Sequence, residues 1–135
     1  MIEEIHRLVK ASGHYDYVYK SNYEILPWER GKLWLVTQPI TVLTRYNKYV
    51  TVPEGFWHDR FTVVPDLPNA IVAAIVHDWL YDALNSNHLF DDGTEATRKQ
   101  ADIIFRDLIW QSKDWIFAYP YYYGVRVFGR KYWND

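Results

Sequence analysis

Cysteine is absent from the 135-residue chain, which excludes disulfide bonds and thiolate chemistry. A surplus of basic charge is also missing, because 15 Lys and Arg face 17 Asp and Glu for a net charge of −2. Nucleic-acid binding requires excess Lys and Arg to contact phosphates, so no nucleic-acid partner is expected. The sequence also lacks an apolar run of about 18 residues, so no transmembrane segment is predicted.

Aromatic residues are abundant instead, at 19% of the chain within a hydrophobic content of 49%. Such a composition is typical of folded proteins, and the length suits one hydrophobic core. We therefore predict a single domain over residues 1–135. The first residues, Met1–Arg7, are charged where a signal peptide has its apolar segment, so no signal peptide is expected.

The first half of the chain carries patterns typical of short strands. A short helix is predicted over Ile2–Val9 from its apolar spacing. Between Trp34 and Phe56, β-branched and aromatic residues form short runs that predict a small antiparallel sheet, with Tyr46-Asn47-Lys48 as a hairpin turn. These runs are Leu33–Val36, Ile40–Thr44 and Tyr49–Val52.

The second half has helical periodicity, so the predicted fold class is α+β. One helix is expected over Asn69–Leu84, and a second is expected to begin near Thr94, with Thr94-Glu95-Ala96-Thr97 as its N-terminal cap. A third, aromatic helix is expected from about Asp114 to Trp133, with interruptions at its proline and glycines. We expect the first two helices to pack together.

Polar side chains interrupt the apolar surface of the first helix. His77 and Tyr81 are one turn apart and share a face, whereas Asp78 points about 100° away from His77. Asp102 lies on the apolar stripe of the second helix, where a buried carboxylate needs donors. It is therefore the natural shared partner of His77 and Tyr81. An imidazole held in this way can activate water.

The same residues are also compatible with a structural role. His77 and Asp78 could belong to a polar cluster that joins two helices without catalysis. Arg98, one turn before Asp102, could neutralise that carboxylate within its own helix, and Asp102 would then carry no information about His77. Both interpretations remain open from the sequence.

Further carboxylates raise the question of a metal. Asp59, in the loop before the helix, could join Asp78 around a hard cation such as calcium. A transition-metal hydrolase that uses His58, Asp59, His77 and Asp78 is a remaining alternative, although these residues have no recognised zinc spacing.

The C-terminal aromatic residues also allow two interpretations. They could form a surface for lipid or for a protein partner. We favour the alternative that they cover the core from one side, because tyrosine can bury its ring and keep its hydroxyl in water. The residues are Tyr119, Tyr121, Tyr122, Tyr123, Phe128, Tyr132 and Trp133.

Several motifs, in order, resemble the uncharacterised phage and prophage family of domain of unknown function 1353. The resemblance runs from about Trp34 to Trp133 and implies a phage protein, in the cytoplasm of the host cell or associated with the virion. Its motifs are Val52–Phe56, Asp59, Pro65, Val76–Tyr81, Arg98, Ala101-Asp102, Phe105 and Tyr123–Gly129.

The pattern His77-Asp78-x-x-Tyr81, followed by Asp102 on a second helix, is also similar to the phospholipase A2 fold. This more distant similarity implies that His77 is the base, that Asp78 binds calcium, and that Tyr81 and Asp102 hold the histidine. The implied function is calcium-dependent hydrolysis of an ester, such as that of a lipid. The alternative is a non-catalytic virion or morphogenesis protein whose aromatic surface binds another subunit.

Overall fold

A computed structural model describes residues 23–28, 31–58 and 70–133 of the chain. The helix predicted over Ile2–Val9 lies outside these described residues, and so does Asp59. Within them, antiparallel strands are followed by helices, which confirms the predicted α+β class.

The strands form two small antiparallel sheets instead of the one that the sequence predicts. The first sheet has the order β1-β2-β5, and the second pairs β3 with β4. β1 was not predicted from the sequence, and it contains Pro27, which is tolerated because β1 is an edge strand. The bounds are Tyr23–Trp28 for β1, Gly31–Val36 for β2, Ile40–Leu43 for β3, Tyr49–Val52 for β4 and Trp57–His58 for β5.

The hairpin of β3 and β4 is the best-defined part of the strand region. Val42 pairs with Val50, and both are fully buried. Asn47 adopts a left-handed conformation with φ of 58°, which asparagine tolerates better than most residues and which lets the chain reverse. The predicted turn at residues 46–48 is therefore confirmed, and the hairpin contributes valine side chains to the core.

The strands are followed by five α-helices and one 3₁₀ turn in the described residues. The first helix buries every residue from Ile71 to His77, as expected for a helix at the centre of a core. The bounds are Ile71–Tyr81 for α1, Ala83–Ser86 for α2, Arg98–Trp110 for α3, Ala118–Phe128 for α4 and Arg130–Trp133 for α5, with the 3₁₀ turn at Trp115–Phe117. The helix predicted over Asn69–Leu84 corresponds to α1 and the start of α2.

The predicted cap segment Thr94–Thr97 contains the observed N-cap, but α3 begins at Arg98, four residues after the predicted start near Thr94. Thr97 is the N-cap, and it forms a reciprocal capping box with Gln100. Thr94 is held in the preceding turn, where its amide and hydroxyl both donate to the carboxylate of Asp92. A local Asp–Thr turn therefore competes successfully with helix formation at Thr94.

The C-terminal aromatic segment is divided, although the sequence predicts one interrupted helix. Pro120 lies in the first turn of α4, where its missing N–H is not needed. Gly124 lies within α4 without breaking it, whereas Gly129 separates α4 from α5. α3 packs against both α1 and α4, so it is the middle helix of the site described next.

Candidate functional site

The candidate site lies where α1, α3 and α4 meet. His77 and Tyr81 project from α1 towards Asp102 on α3, and Asp102 is fully buried. Nε2 of His77 lies 2.9 Å from Oδ1 of Asp102, and the hydroxyl of Tyr81 donates to the same oxygen at 2.6 Å. The predicted contacts of Asp102 with His77 and Tyr81 are therefore present.

The second carboxylate oxygen of Asp102, Oδ2, contacts two arginines. Nη1 of Arg126, on α4, lies 2.8 Å from Oδ2, and Nη1 of Arg98 lies 3.4 Å from the same atom. Arg126 was not among the site residues predicted from the sequence. One available signal was that Arg126 is the only charged residue of α4.

Arg98 also binds the end of α4. Its guanidinium donates to the carbonyl oxygens of Val125 and Arg126, at 3.1 Å and 3.2 Å. These carbonyls belong to the last turn of α4, where that of Val125 also accepts from the N–H of Gly129 at 2.8 Å. The contact by which Arg98 was expected to neutralise Asp102 within its own helix is present, but it does not exclude His77, because the two residues contact different oxygens of the carboxylate.

Aromatic rings surround the polar contacts. The His77 ring lies 4.2 Å from that of Tyr81 and 4.5 Å from that of Phe105, measured between centroids. Trp133 meets Tyr81 edge-on and stacks on His88 with a centroid distance of 3.8 Å. The cluster is therefore held in a mainly apolar environment, in which hydrogen bonds are stronger than in water.

The hydrogen bonds and the burial of this cluster shift the pKa values of His77, Asp102 and Tyr81. Burial disfavours the charged imidazole, but the hydrogen bond with Asp102 and the carboxylate of Asp78 outweigh it and raise the pKa of His77. Burial also opposes ionisation of Asp102, but the hydrogen bonds it accepts, first from His77, lower its pKa. Burial and the bond to Asp102 raise the pKa of Tyr81, so its hydroxyl remains a donor.

The hydrogen bond with Asp102 determines which ring nitrogen of neutral His77 carries the proton. An ionised Asp102 can only accept, so Nε2 of His77 carries a proton and donates to it. In the neutral imidazole, Nδ1 then holds the free electron pair. Nδ1 is 3.8 Å from Oδ1 of Asp78, which is longer than a hydrogen bond. A proton gained at Nδ1 would therefore be stabilised by the nearby Asp78 carboxylate through charge.

The predicted metal ligands are only partly within the described structure. Asp78 is placed beside His77 by its sequence position, and its side chain is 18% exposed. No group of three or more His, Asp or Glu side chains that could hold a metal occurs in residues 23–28, 31–58 and 70–133. No helix in this part of the chain is long and apolar enough to cross a membrane.

Comparison with curated proteins and with solved structures finds no match. A family model described as "Protein of unknown function (DUF1353)" matches residues 34–119. The matched span contains His77, Tyr81 and Asp102 and ends before Arg126, so the resemblance beyond residue 119 stays a prediction. Because the match covers more than half of the 135 residues, the chain belongs to the DUF1353 family.

Proposed function

We propose that this protein is a phospholipase A2-like hydrolase in which His77 activates water for attack on an ester. The observation that carries the proposal is the bond between Nε2 of His77 and Oδ1 of Asp102, at 2.9 Å. It commits one ring nitrogen to the buried carboxylate and leaves Nδ1 as the basic atom. Tyr81 holds the same oxygen and so limits rotation of Asp102.

The chemistry follows from that tautomer. Nδ1 of His77 takes a proton from water as the water oxygen bonds to the ester carbonyl carbon. The carbon–oxygen bond to the alcohol then breaks, and the alcohol leaves with the proton from Nδ1. The products are an acid and an alcohol, and the imidazole returns to its neutral form. Throughout, Asp102 stabilises the charged imidazole, as a carboxylate does in other histidine-based hydrolases.

Calcium is proposed as a cofactor, with Asp78 as the ligand nearest to the base. A bound calcium ion would polarise the ester carbonyl and stabilise the developing negative charge. Calcium takes about six to eight oxygen ligands, and Asp78, whose side chain is 18% exposed, would supply one carboxylate. Asp59, the second proposed ligand, lies outside the described residues.

The test is hydrolysis of lipid and soluble esters by the full chain and by His77→Ala. Loss of a general base lowers the rate by about a hundredfold or more. His88→Ala is the matched control, because His88 stacks on Trp133 and does not contact Asp102. Absence of activity on both ester classes, or an equal loss in the two variants, would contradict the proposal.

Calcium binding has a separate test by thermal shift. A ligand that binds the native state raises its melting temperature by mass action. We expect millimolar calcium to stabilise the wild type and to have a smaller effect on Asp78→Asn. An unchanged melting temperature in the wild type would remove calcium from the proposal and leave the role of His77 to the hydrolysis assay.

The second candidate is a non-catalytic phage virion or morphogenesis protein, present in the host cytoplasm or the virion. The observation that favours it is that Asp102 joins three helices through four side chains, as a structural cluster would. Here the aromatic surface binds another subunit. His77→Ala should then lower the melting temperature and prevent assembly, and calcium should have no effect.

A further inference from the structure

α4 is apolar on two faces. Its inner face buries Ala118, Tyr122 and Val125 against α3. Tyr119, Tyr123 and Val127, spaced four residues apart, form a second stripe, which we call the outer face; they are 48%, 61% and 69% exposed. A helix that is apolar all round is normally buried on every side, so a partner for the outer face is expected.

The charged residues of α4 and α5 are all basic. No Asp or Glu occurs between Trp115 and Trp133, whereas Arg126, Arg130 and Lys131 do, in a chain whose net charge is −2. Arg126 is neutralised by Asp102. Arg130 and Lys131 are exposed and directly follow the end of α4. The described surface at this end of the molecule therefore combines aromatic rings with the positive charges of Arg130 and Lys131.

We propose that the outer face of α4 docks onto an anionic lipid surface. Tyrosine rings suit the boundary between water and acyl chains, because the ring is apolar and the hydroxyl remains hydrated. Basic side chains beside them are attracted to anionic headgroups. A symmetric contact between two copies of this face would bring their Arg130 and Lys131 residues near one another, and the repulsion between these like charges disfavours a second copy as the occupant.

Docking goes beyond the proposed hydrolysis and does not require it. The docking surface and the His77 cluster nevertheless both involve α4. Arg126 of α4 binds Asp102, and the outer face of α4 is the proposed docking surface. A helix is about 10 Å across. If the proposed function holds, docking would therefore place the His77 cluster within roughly one helix diameter of the lipid.

Cosedimentation of the full chain with vesicles tests the proposal. We expect binding to vesicles that contain phosphatidylglycerol, weak binding to pure phosphatidylcholine, and release as salt rises. Replacing Arg130 and Lys131 together by Gln should weaken binding about 25-fold, at about fivefold for each basic residue. Failure to sediment with phosphatidylglycerol vesicles, or the same affinity in the double variant, overturns the proposal.

A charge placed on the outer face provides a matched comparison. Val127→Asp should weaken vesicle binding about tenfold or more, because it removes apolar area and repels anionic lipid. Leu84→Asp is the control, since Leu84 is 88% exposed on α2, outside the docking stripe. Equal losses in both variants overturn the proposal, and so does a wild-type dimer, measured without lipid, that Val127→Asp converts to monomer.

Two further measurements separate docking from catalysis. His77→Ala should still sediment with the anionic vesicles, and Val127→Asp should hydrolyse a soluble ester at the wild-type rate if the proposed function holds. Absence of ester hydrolysis together with intact vesicle binding would contradict the proposed function alone. Hydrolysis of a soluble ester without vesicle binding would overturn the docking proposal alone.

Discussion

Arg126 and Asp102 form an ion pair of 2.8 Å that attaches α4 to the middle helix of the site. The carboxylate is shared in an ordered way, because Oδ2 faces the arginines while Oδ1 faces His77 and Tyr81. One buried side chain thus holds three helices together. Removing its charge should affect both the stability of the fold and the properties of the histidine.

Asp102→Asn should lower the free energy of unfolding by about 3 kcal/mol, because it leaves two partly buried arginines without their anion. Asp107→Asn is the control on the same helix, since Asp107 pairs with a half-exposed Arg45. Loss of such a surface pair costs about 1 kcal/mol or less. Urea denaturation measures the free energy of unfolding of both variants. Similar decreases in the two would show that the contacts of Asp102 stabilise the fold no more than a surface ion pair does.

Tyr81→Phe should cost about 2 kcal/mol, the typical contribution of a hydrogen bond to a charged group. The hydroxyl lost is the one that donates to Asp102 at 2.6 Å. Tyr122→Phe is the matched control, because Tyr122 is also buried and its hydroxyl makes no hydrogen bond to another described residue. Thermal denaturation that ranks the control as the less stable variant would contradict this account of Tyr81.

The pKa of His77 predicts a pH dependence for two readouts. The base must be neutral, so hydrolysis should increase as pH rises through a pKa above the usual histidine value of about 6.5. Stability should change in the opposite direction. The contribution of charged His77 is complete below about pH 6.5 and is lost as pH rises through the raised pKa.

Rate profiles and urea midpoints of the wild type, measured at matched pH values, test this dependence. His77→Gln supplies the reference for stability, because its side chain does not titrate. The stability difference between wild type and His77→Gln should shrink towards alkaline pH. A difference that grows in that direction would mean that folding favours the neutral imidazole.

The strand pattern and the Asp102 contacts could be predicted from the sequence for different reasons. Paired β-branched runs around Tyr46–Lys48 report local preferences, and these match the hairpin observed. The contact of Asp102 with His77 was predictable because each polar group lies on an apolar helical stripe. A buried polar group needs a partner, and few candidates existed.

Other features depend on interactions that the local sequence does not report. α3 begins at Arg98 and not near Thr94, because Thr94 is hydrogen-bonded to Asp92 in a turn. Arg126 was missed because arginine is usually exposed, so one near the end of α4 carries no local sign of a buried partner.

Gly129 allows the end of α4 to approach the site closely. A Cβ at this position would lie 2.8 Å from the hydroxyl oxygen of Tyr81 and would also meet the carbonyl oxygen of Val125. Gly129→Ala should therefore displace Tyr81 from Asp102 or move the end of α4. We expect a loss of about 1–3 kcal/mol, as for other overpacked positions.

Gly124→Ala is the matched control within α4. A Cβ at this position would have no atom of a neighbouring group within 4 Å, so alanine meets no obstacle. Since alanine favours helix over glycine by about 1 kcal/mol, this variant should be slightly more stable than wild type. Urea denaturation should thus show that Gly129→Ala lowers the free energy of unfolding and that Gly124→Ala raises it, although the two substitutions are identical. Equal signs would mean that close packing against Tyr81 does not determine the glycine at position 129.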